Sequence, residues 1–162
     1  MKRIFLLAVI FSGVLIHSNA QDSFKRKYVT ASSESVTTLQ IDGNINVTLV
    51  VAPNEPSVYI DGSENFTKKV KTSFIDGVMK ISAYASSRSE NDVVVIYAPG
   101  LSHLELNGDV KFKTIGTISA KNLQVSINGN CKLLVQHAGK INIRLDDNYE
   151  FIEKKVTRLK AS

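Results

Sequence analysis

LELNGDVKF at residues 104–112 and VSINGNCKL at residues 125–133 are two versions of one phrase. Each places an apolar residue at every second position on both sides of an Asn-Gly pair, and this alternation is the period of a β-strand. Related phrases begin at residues 39, 58, 73 and 143. A recurrence near twenty residues is typical of stacked supersecondary units. The sequence therefore predicts an all-β chain built from repeated units.

The copies that begin at residues 39, 104, 125 and 143 align as columns of like residues. The first and third columns are apolar throughout, whereas the column between them is polar. If each copy is one coil, the apolar columns stack along a common interior. These columns contain Leu39, Leu104, Val125 and Ile143, then Ile41, Leu106, Ile127 and Leu145. The alignment predicts a parallel β-helix.

The middle of most copies combines glycine with Asn or Asp. These residues tolerate the positive φ that a sharp bend requires. A corner between two strands of one coil and the turn of an antiparallel hairpin both need them. The recurrence near twenty residues favours the coil, and an antiparallel β-sandwich is the alternative fold.

The beginning of the chain has the composition of a signal peptide. Lys2 and Arg3 precede an apolar run at residues 4–16, and small and polar residues follow at 18–20. This order of charged, apolar and small residues is typical of a secretory signal. The run is shorter than the roughly 20 residues that span a bilayer. We expect cleavage after residue 20, no transmembrane anchor thereafter, and export to the periplasm or the cell surface.

The positive charge lies mostly near the chain ends. The formal net charge is +5, with basic clusters at residues 21–27 and 151–162. A basic stripe with interleaved aromatic residues, as nucleic-acid binding requires, is not evident. We therefore expect no nucleic-acid partner. The single cysteine, Cys131, excludes an internal disulfide and stands in an apolar column, so we expect it to be buried.

Four phrases carry a family resemblance: LQIDGNINVTLV from residue 39, VYIDGSENF from 58, VKTSFIDGVMKISA from 70 and VVVIYAPGLSHLELNGD from 93. In this order they resemble the exported bacterial proteins described as putative auto-transporter adhesin, head GIN domain. The resemblance implies a right-handed parallel β-helix with a less regular N-terminal part. It also implies an adhesin-like role. We expect an exported, non-enzymatic protein whose partner is a glycan or an envelope protein. A polysaccharide-active β-helix enzyme and a structural component of an envelope assembly are the alternatives.

The predicted organisation has four parts. Residues 1–20 are the signal peptide, 21–38 an N-terminal extension with the first strand, and 39–150 the GIN-type β-helix domain. Residues 151–162 form a basic C-terminal cap or tail. A short amphipathic helix using Ile152, Val156 and Leu159 is one form that this cap can take.

Lys111 and Lys132 are the candidate ligand-binding residues. They occupy the same polar position in consecutive copies, in one file with Glu150 and beside Lys113. On neighbouring coils they would present two positive charges at a fixed spacing, which suits an acidic glycan. A purely solubilising role for these lysines is the alternative.

Other sites are weaker candidates, and we expect no catalytic residue, cofactor or metal. Asp109 and Asp147 are the carboxylate pair that a polysaccharide-active enzyme would use. His103 and His137 are expected at the surface or in turns. Calcium binding through the Asn and Asp residues of the corners is an open alternative, because these side chains also form local turns. The corner side chains concerned are Asp42, Asp61, Asn107 and Asn128.

Overall fold

The computed structural model describes residues 24–30, 35–53, 56–84, 89–145 and 149–155. The predicted signal peptide, residues 1–20, lies outside them. The described residues form eleven strands and one short helix, so the predicted all-β class is confirmed. The elements are β1 (Phe24–Thr30), β2 (Thr38–Val51), β3 (Ser57–Ser63), α1 (Glu64–Lys69), β4 (Lys71–Ile75), β5 (Val78–Ala83), β6 (Val93–Ala98), β7 (His103–Ile115), β8 (Asn122–Asn128), β9 (Cys131–His137), β10 (Lys140–Leu145) and β11 (Tyr149–Lys155).

The columns predicted from the sequence are paired in the sheet. Strands β2 and β7 are parallel, and Leu39 lies opposite Leu104. Strand β8 adds Val125 to this column, and β10 adds Ile143. The neighbouring column is paired in the same way, as Ile41, Leu106, Ile127 and Leu145. The predicted register of these four copies is therefore confirmed.

The sheet is mixed rather than wholly parallel. Strand β3 is antiparallel to both β1 and β6, and β4 is antiparallel to β5. Two of the predicted copies are consequently wrong. The copy at 58–66 runs from β3 into helix α1, where the Ser63 side chain caps the helix by accepting from the Phe66 amide. The copy at 73–81 is a hairpin.

The hairpin at 73–81 has a local cause. Its turn is Asp76-Gly77, with φ of 51° and 74°. An Asp-Gly pair with both residues at positive φ closes a two-residue hairpin whose twist matches that of the strands. A single phrase does not distinguish this turn from a bend within a coil, which explains the misassignment.

Glycines bend the long strands without ending them. Gly43 and Gly108 lie opposite one another within β2 and β7, with φ of 112° and 102°. A Cβ atom on Gly108 would lie 2.6 Å from the carbonyl oxygen of Gly43. Gly129, between β8 and β9, has φ of 116°, and a Cβ there would collide with the Gly108 carbonyl. These glycines therefore stack, and only glycine fits the stack.

The bends divide the sheet into two wings. The first wing contains β4, β5, the N-terminal halves of β2 and β7, β8 and β10. The second contains β1, β3, β6, the C-terminal halves of β2 and β7, β9 and β11. Alternate side chains of both wings are buried in one apolar cluster. It includes Leu39, Ile41, Met79, Ile81, Leu104 and Leu106 from the first wing, and Ile45, Leu49, Ile60, Ile96, Val110 and Phe112 from the second.

The end of the chain departs from the helical form of the predicted cap. Residues Tyr149–Lys155 form strand β11, parallel to β9, and Ile152 lies opposite Leu134. An amphipathic helix including Ile152 is therefore not formed. Val156 and Leu159 lie outside the described residues. In the described part of the chain, no helix has the length and hydropathy needed to cross a bilayer.

Candidate binding face

A groove of about 370 Å³ lies on the outer face of the second wing. Its floor and walls come from four parallel neighbouring strands, β6, β2, β7 and β9, together with β11 at the edge. Because side chains alternate across a sheet, every second residue of these strands faces outward. The lining residues are Asn46, Val47, Thr48, Glu90, Val93, Lys111, Phe112, Lys113, Lys132, Leu133, Leu134 and Ile152.

The two predicted ligand-binding lysines meet in this groove. Lys111 and Lys132 are direct register partners on β7 and β9, and both are exposed. Neighbouring strands lie roughly 4.8 Å apart, so the two side chains leave the sheet at about that spacing. The exposed Lys113 is the next outward residue of β7. Three lysines thus stand on one side of the groove, with Glu90 the acidic residue of its lining.

The sequence analysis did not identify the apolar part of the groove. Leu134 and Ile152 are register partners and are 43% and 46% exposed. Ile115, the outward residue of β7 after Lys113, is 54% exposed and lies just beyond the groove lining. The signal was visible in the sequence, because Leu134 interrupts the polar alternation of its copy.

The loop before β6 is held beside the groove by Asn46. The Asn46 side-chain amide donates to the backbone carbonyls of Ser89 and Asp92, at 3.2 and 3.1 Å. Asp92 is itself buried and accepts from the Ser63 amide at 2.9 Å. Glu90 therefore stands at the groove on a loop that is tied to two strands.

The outer face of the first wing is different, because its polar side chains bind one another. Asn107 donates to Asp42 at 2.7 Å and to Glu105 at 3.2 Å, and Gln40 donates to Glu105 at 2.8 Å. Lys80 forms an ion pair with Asp42 at 3.0 Å, and this hydrogen bond raises the pKa of Lys80.

This network bears on the calcium alternative. Asp42 and Asn107 are engaged with each other on the first wing, whereas Asp61 lies in β3 of the second wing and pairs with Arg26 at 2.6 Å. Within the described residues, no group of three or more His, Cys, Asp or Glu side chains is placed to hold a metal ion. The register stacks Asp42, Asn107 and Asn128 in one file, and Asp61 lies apart from them on the second wing.

Three of the remaining candidates, Asp109, His103 and His137, lie within the described residues. Asp109 lies in β7 beside the bend, and Asp147 is outside the described residues. His103 is exposed, with its Nδ1 2.9 Å from the hydroxyl of Ser102. His137 is buried, and its Nε2 lies 2.8 Å from a Glu153 carboxylate oxygen. The expected surface or turn position is therefore wrong for His137.

Cys131 is buried, as predicted from its column. Burial raises the pKa of its thiol, and the thiol donates to the Gly108 carbonyl at 3.6 Å. Strand β9 continues the same inward alternation through Leu133 and Val135 to His137, which explains why a histidine at its end is also buried.

Strand β1 forms the far edge of the second wing and is largely exposed. Lys25 and Lys68 both form ion pairs with Glu64, at 3.0 and 2.8 Å. These two lysines, Lys68 first, lower the pKa of Glu64 to about 2.

The outer face of β1 also begins an aromatic cluster. Tyr28 packs on Tyr59 with ring centroids 4.6 Å apart, and Tyr97 meets Tyr59 edge-on at 5.6 Å. These rings lie on the same outer face as the groove, because Tyr59 is opposite Val95 and Val95 is opposite Thr48.

Comparison with known proteins identifies a family and a fold. The family model described as putative auto-transporter adhesin, head GIN domain, matches residues 36–151. A putative adhesin from Parabacteroides distasonis has a similar structure, with a TM-score of 0.57 at 14% identity over 77% of this chain and 57% of that one. A putative adhesin from Bacteroides fragilis has a TM-score of 0.53 at 17% identity, over 78% of this chain and 64% of that one.

A third solved structure is named differently. It is a putative lipid binding protein from Parabacteroides distasonis, with a TM-score of 0.53 at 14% identity, over 78% of this chain and 61% of that one. The chain thus spans about three fifths of the length of each of these three structures. A comparison with curated proteins finds no match.

Proposed function

The chain belongs to the putative auto-transporter adhesin, head GIN domain family, and we propose that it is an exported, non-enzymatic binding protein of the cell envelope. Its partner is a glycan or an envelope protein, held on the groove face of the second wing. One observation carries the proposal: Lys111 and Lys132 are direct partners on adjacent strands and line the same groove.

The charge of the groove indicates the character of the partner. Lys111, Lys113 and Lys132 lie on two adjacent strands, Glu90 supplies one opposite charge in the lining, and Glu150 of β11 lies opposite Lys132. The sheet fixes the spacing of the two lysine backbones, so a partner with regularly spaced acidic groups can meet both ammonium groups at once, at the cost of ordering two long side chains. We infer that the partner is acidic, such as a polysaccharide with carboxylate or sulfate groups.

The proposed fold is a right-handed parallel β-helix from β7 to the end of β11, preceded by a less regular part. The parallel registers of β7 with β8 and β9, and of these strands with β10 and β11, support this proposal. The antiparallel pairs of β1, β3 and β4 belong to the less regular part. The proposal retains residues 1–20 as a signal peptide and 39–150 as the GIN-type domain.

A panel of acidic and neutral glycans tests the proposed function. We expect the exported form to bind an acidic polysaccharide, and the double variant Lys111→Ala/Lys132→Ala to bind it more weakly and with a flatter salt dependence. Lys71→Ala/Lys140→Ala is the matched control, because it removes the same charge from exposed positions of the first wing. We expect this control to bind like the wild type.

Two results would contradict the proposal. Equal loss of binding in both double variants would mean that net charge, and not the groove, is responsible. Turnover of a polysaccharide that is lost in Asp109→Asn would favour the polysaccharide-active enzyme instead.

A further inference from the structure

The groove face is amphipathic, and its apolar half needs an explanation that charge alone does not provide. Ile115, Leu134 and Ile152 are 54%, 43% and 46% exposed. They lie on the three adjacent strands that form this end of the second wing, next to the three lysines. Single exposed apolar residues are common, but a contiguous group beside a basic cluster marks an interaction surface.

The strand register shows that the lysines and the exposed apolar residues of this face are interleaved. In one file across the sheet, Lys113 lies opposite Leu134, and Leu134 lies opposite Ile152. In the file beside it, Lys111 lies opposite Lys132, and Lys132 lies opposite Glu150 of β11. A partner that contacts the lysines must therefore also cover Leu134 and Ile152.

The chemistry of the partner follows from this arrangement. A hydroxyl-rich acidic glycan satisfies the lysines but leaves Leu134 and Ile152 against polar groups or water. An anionic lipid surface satisfies both halves, since phosphates lie at the level of the lysine ammonium groups and the acyl boundary lies just beneath. Burial of Leu134 and Ile152 adds to the attraction between the lysines and the phosphates. The lipid surface therefore fits this face better than a soluble acidic polymer does.

The far part of the same face has residues suited to such a surface. Tyr28, Tyr59 and Tyr97 form the aromatic cluster of the outer face, and Tyr28 is 53% exposed. Tyrosine rings have an apolar body and a polar tip, so they are enriched at the level of lipid headgroups. The aromatic end and the basic end of the second wing thus favour the same environment.

We propose that the outer face of the second wing docks on an anionic lipid surface. Lys111, Lys113 and Lys132 bind the phosphates, and Ile115, Leu134 and Ile152 enter the boundary between headgroups and acyl chains. The basic cluster attracts the anionic headgroups, and burial of the apolar group adds to this attraction. The inference rests on the proposed function, because it uses the same binding face, but it replaces the glycan or envelope protein with an anionic lipid surface as the partner.

Flotation with lipid vesicles tests the docking. The exported form is mixed with phosphatidylcholine vesicles, or with vesicles that also contain phosphatidylglycerol, and the bound fraction is measured at low and physiological salt. We expect binding to the anionic vesicles and little to the neutral ones. Each lysine near a charged surface is worth about fivefold in affinity, so Lys111→Ala/Lys132→Ala should bind about 25-fold more weakly.

A second double variant tests the apolar residues of this face. Leu134→Ser/Ile152→Ser should lower vesicle binding about tenfold or more while leaving the salt dependence unchanged, because it removes apolar burial and no charge. Two controls lie on the first wing: Lys71→Ala/Lys140→Ala matches the charge change, and Ile75→Ser matches the loss of an exposed apolar side chain. Both controls should bind vesicles like the wild type, and circular dichroism should confirm that every variant is folded.

The outcomes separate this inference from the proposed function. Absence of binding to anionic vesicles, or binding that Leu134→Ser/Ile152→Ser leaves unchanged, would overturn the lipid inference. Binding of a soluble acidic polysaccharide that needs Lys111 and Lys132, without vesicle binding, would overturn it and leave the proposed function intact. Loss of vesicle binding equally in the first-wing controls would show nonspecific adsorption and likewise overturn it.

Discussion

The two halves of strands β2 and β7 follow the same alternation of apolar and polar residues, but their outer faces differ in kind. On the first wing, Asn107 donates across the strands to Asp42 and along its own strand to Glu105. On the second wing, the corresponding positions present lysines and exposed apolar side chains around a groove. Polar side chains of the first face bond to one another, whereas the groove of the second face combines positive charge with exposed apolar side chains.

The difference arises from which residues become neighbours when the strands pair. Asp42 lies opposite Asn107, and Gln40 opposite Glu105, so donors meet acceptors. On the second wing, Lys111 lies opposite Lys132, so two like charges meet, and Glu150 of β11 lies on the other side of Lys132. Like charges directly opposite one another destabilise a sheet slightly. We infer that the first arrangement serves stability and the second serves binding.

The bend that separates the two faces should be the most sensitive position. Gly108→Ala would force a Cβ to 2.6 Å from the Gly43 carbonyl at a φ of 102°. We expect a loss of about 3 kcal/mol or more in the free energy of unfolding, from backbone strain and overpacking together. Urea denaturation measures it.

Gly100→Ala is the matched control, because nothing lies within 4 Å of the added Cβ. We expect it to change stability by less than about 0.5 kcal/mol. If the two variants lost stability equally, the bend would not be the element that joins the two wings.

The next largest loss of stability is expected in the apolar core that the two wings share. Leu106 is fully buried in the column that continues from Ile41 to Ile127, and Leu106→Ala should cost about 2–5 kcal/mol. Ser126→Ala, on the exposed side of the adjacent strand, should change stability by less than about 0.5 kcal/mol. Similar melting temperatures for the two variants would mean that the columns do not form the core.

The sequence predicted the parallel columns because their signal is periodic and repeated. Four copies with apolar residues at the same positions determine both strand and register, and Leu104 indeed lies between Leu39 and Val125. The copies at 58–66 and 73–81 were misassigned, because a different local structure forms in each. Asp76-Gly77 closes a hairpin, and Ser63 caps a helix, so local geometry prevailed over similarity to the repeat.

The candidate site was predictable only in part. Lys111 and Lys132 were identified from their common position, which the register places side by side. Their meeting with Ile152 depends on β11 forming a strand, where a helix had been considered. The hydrogen bonds that Glu105 accepts were also not predictable from the sequence, since they depend on the long-range pairing of its strand with that of Gln40 and on side-chain rotamers.

The comparison of the two faces can be sharpened with one side chain from each. Asn107→Ala removes donors to Asp42 and Glu105 and should cost about 1–2 kcal/mol in the free energy of unfolding. Lys111→Ala should change it by less than about 0.5 kcal/mol. Chemical denaturation of both variants under one set of conditions gives the difference. A larger loss for Lys111→Ala would contradict the division into a stabilising face and a binding face.

The smallest expected effect lies at the far edge of the second wing, where Lys68 and Lys25 lower the pKa of Glu64 to about 2, from an ordinary value near 4.5. Because the folded-state pKa is the lower one, the ionised carboxylate stabilises the fold above about pH 4.5. This contribution is lost as the pH falls from there towards about 2. The ion pairs are exposed, so the contribution should be small.

We expect the wild type to have a slightly higher urea midpoint than Glu64→Gln at pH 5, and we expect this difference in midpoint, the gap, to narrow by pH 2.5. Since other carboxylates titrate in both proteins, the difference isolates Glu64. A gap that stays constant over this range would show that its charge does not help to hold β1 on the wing.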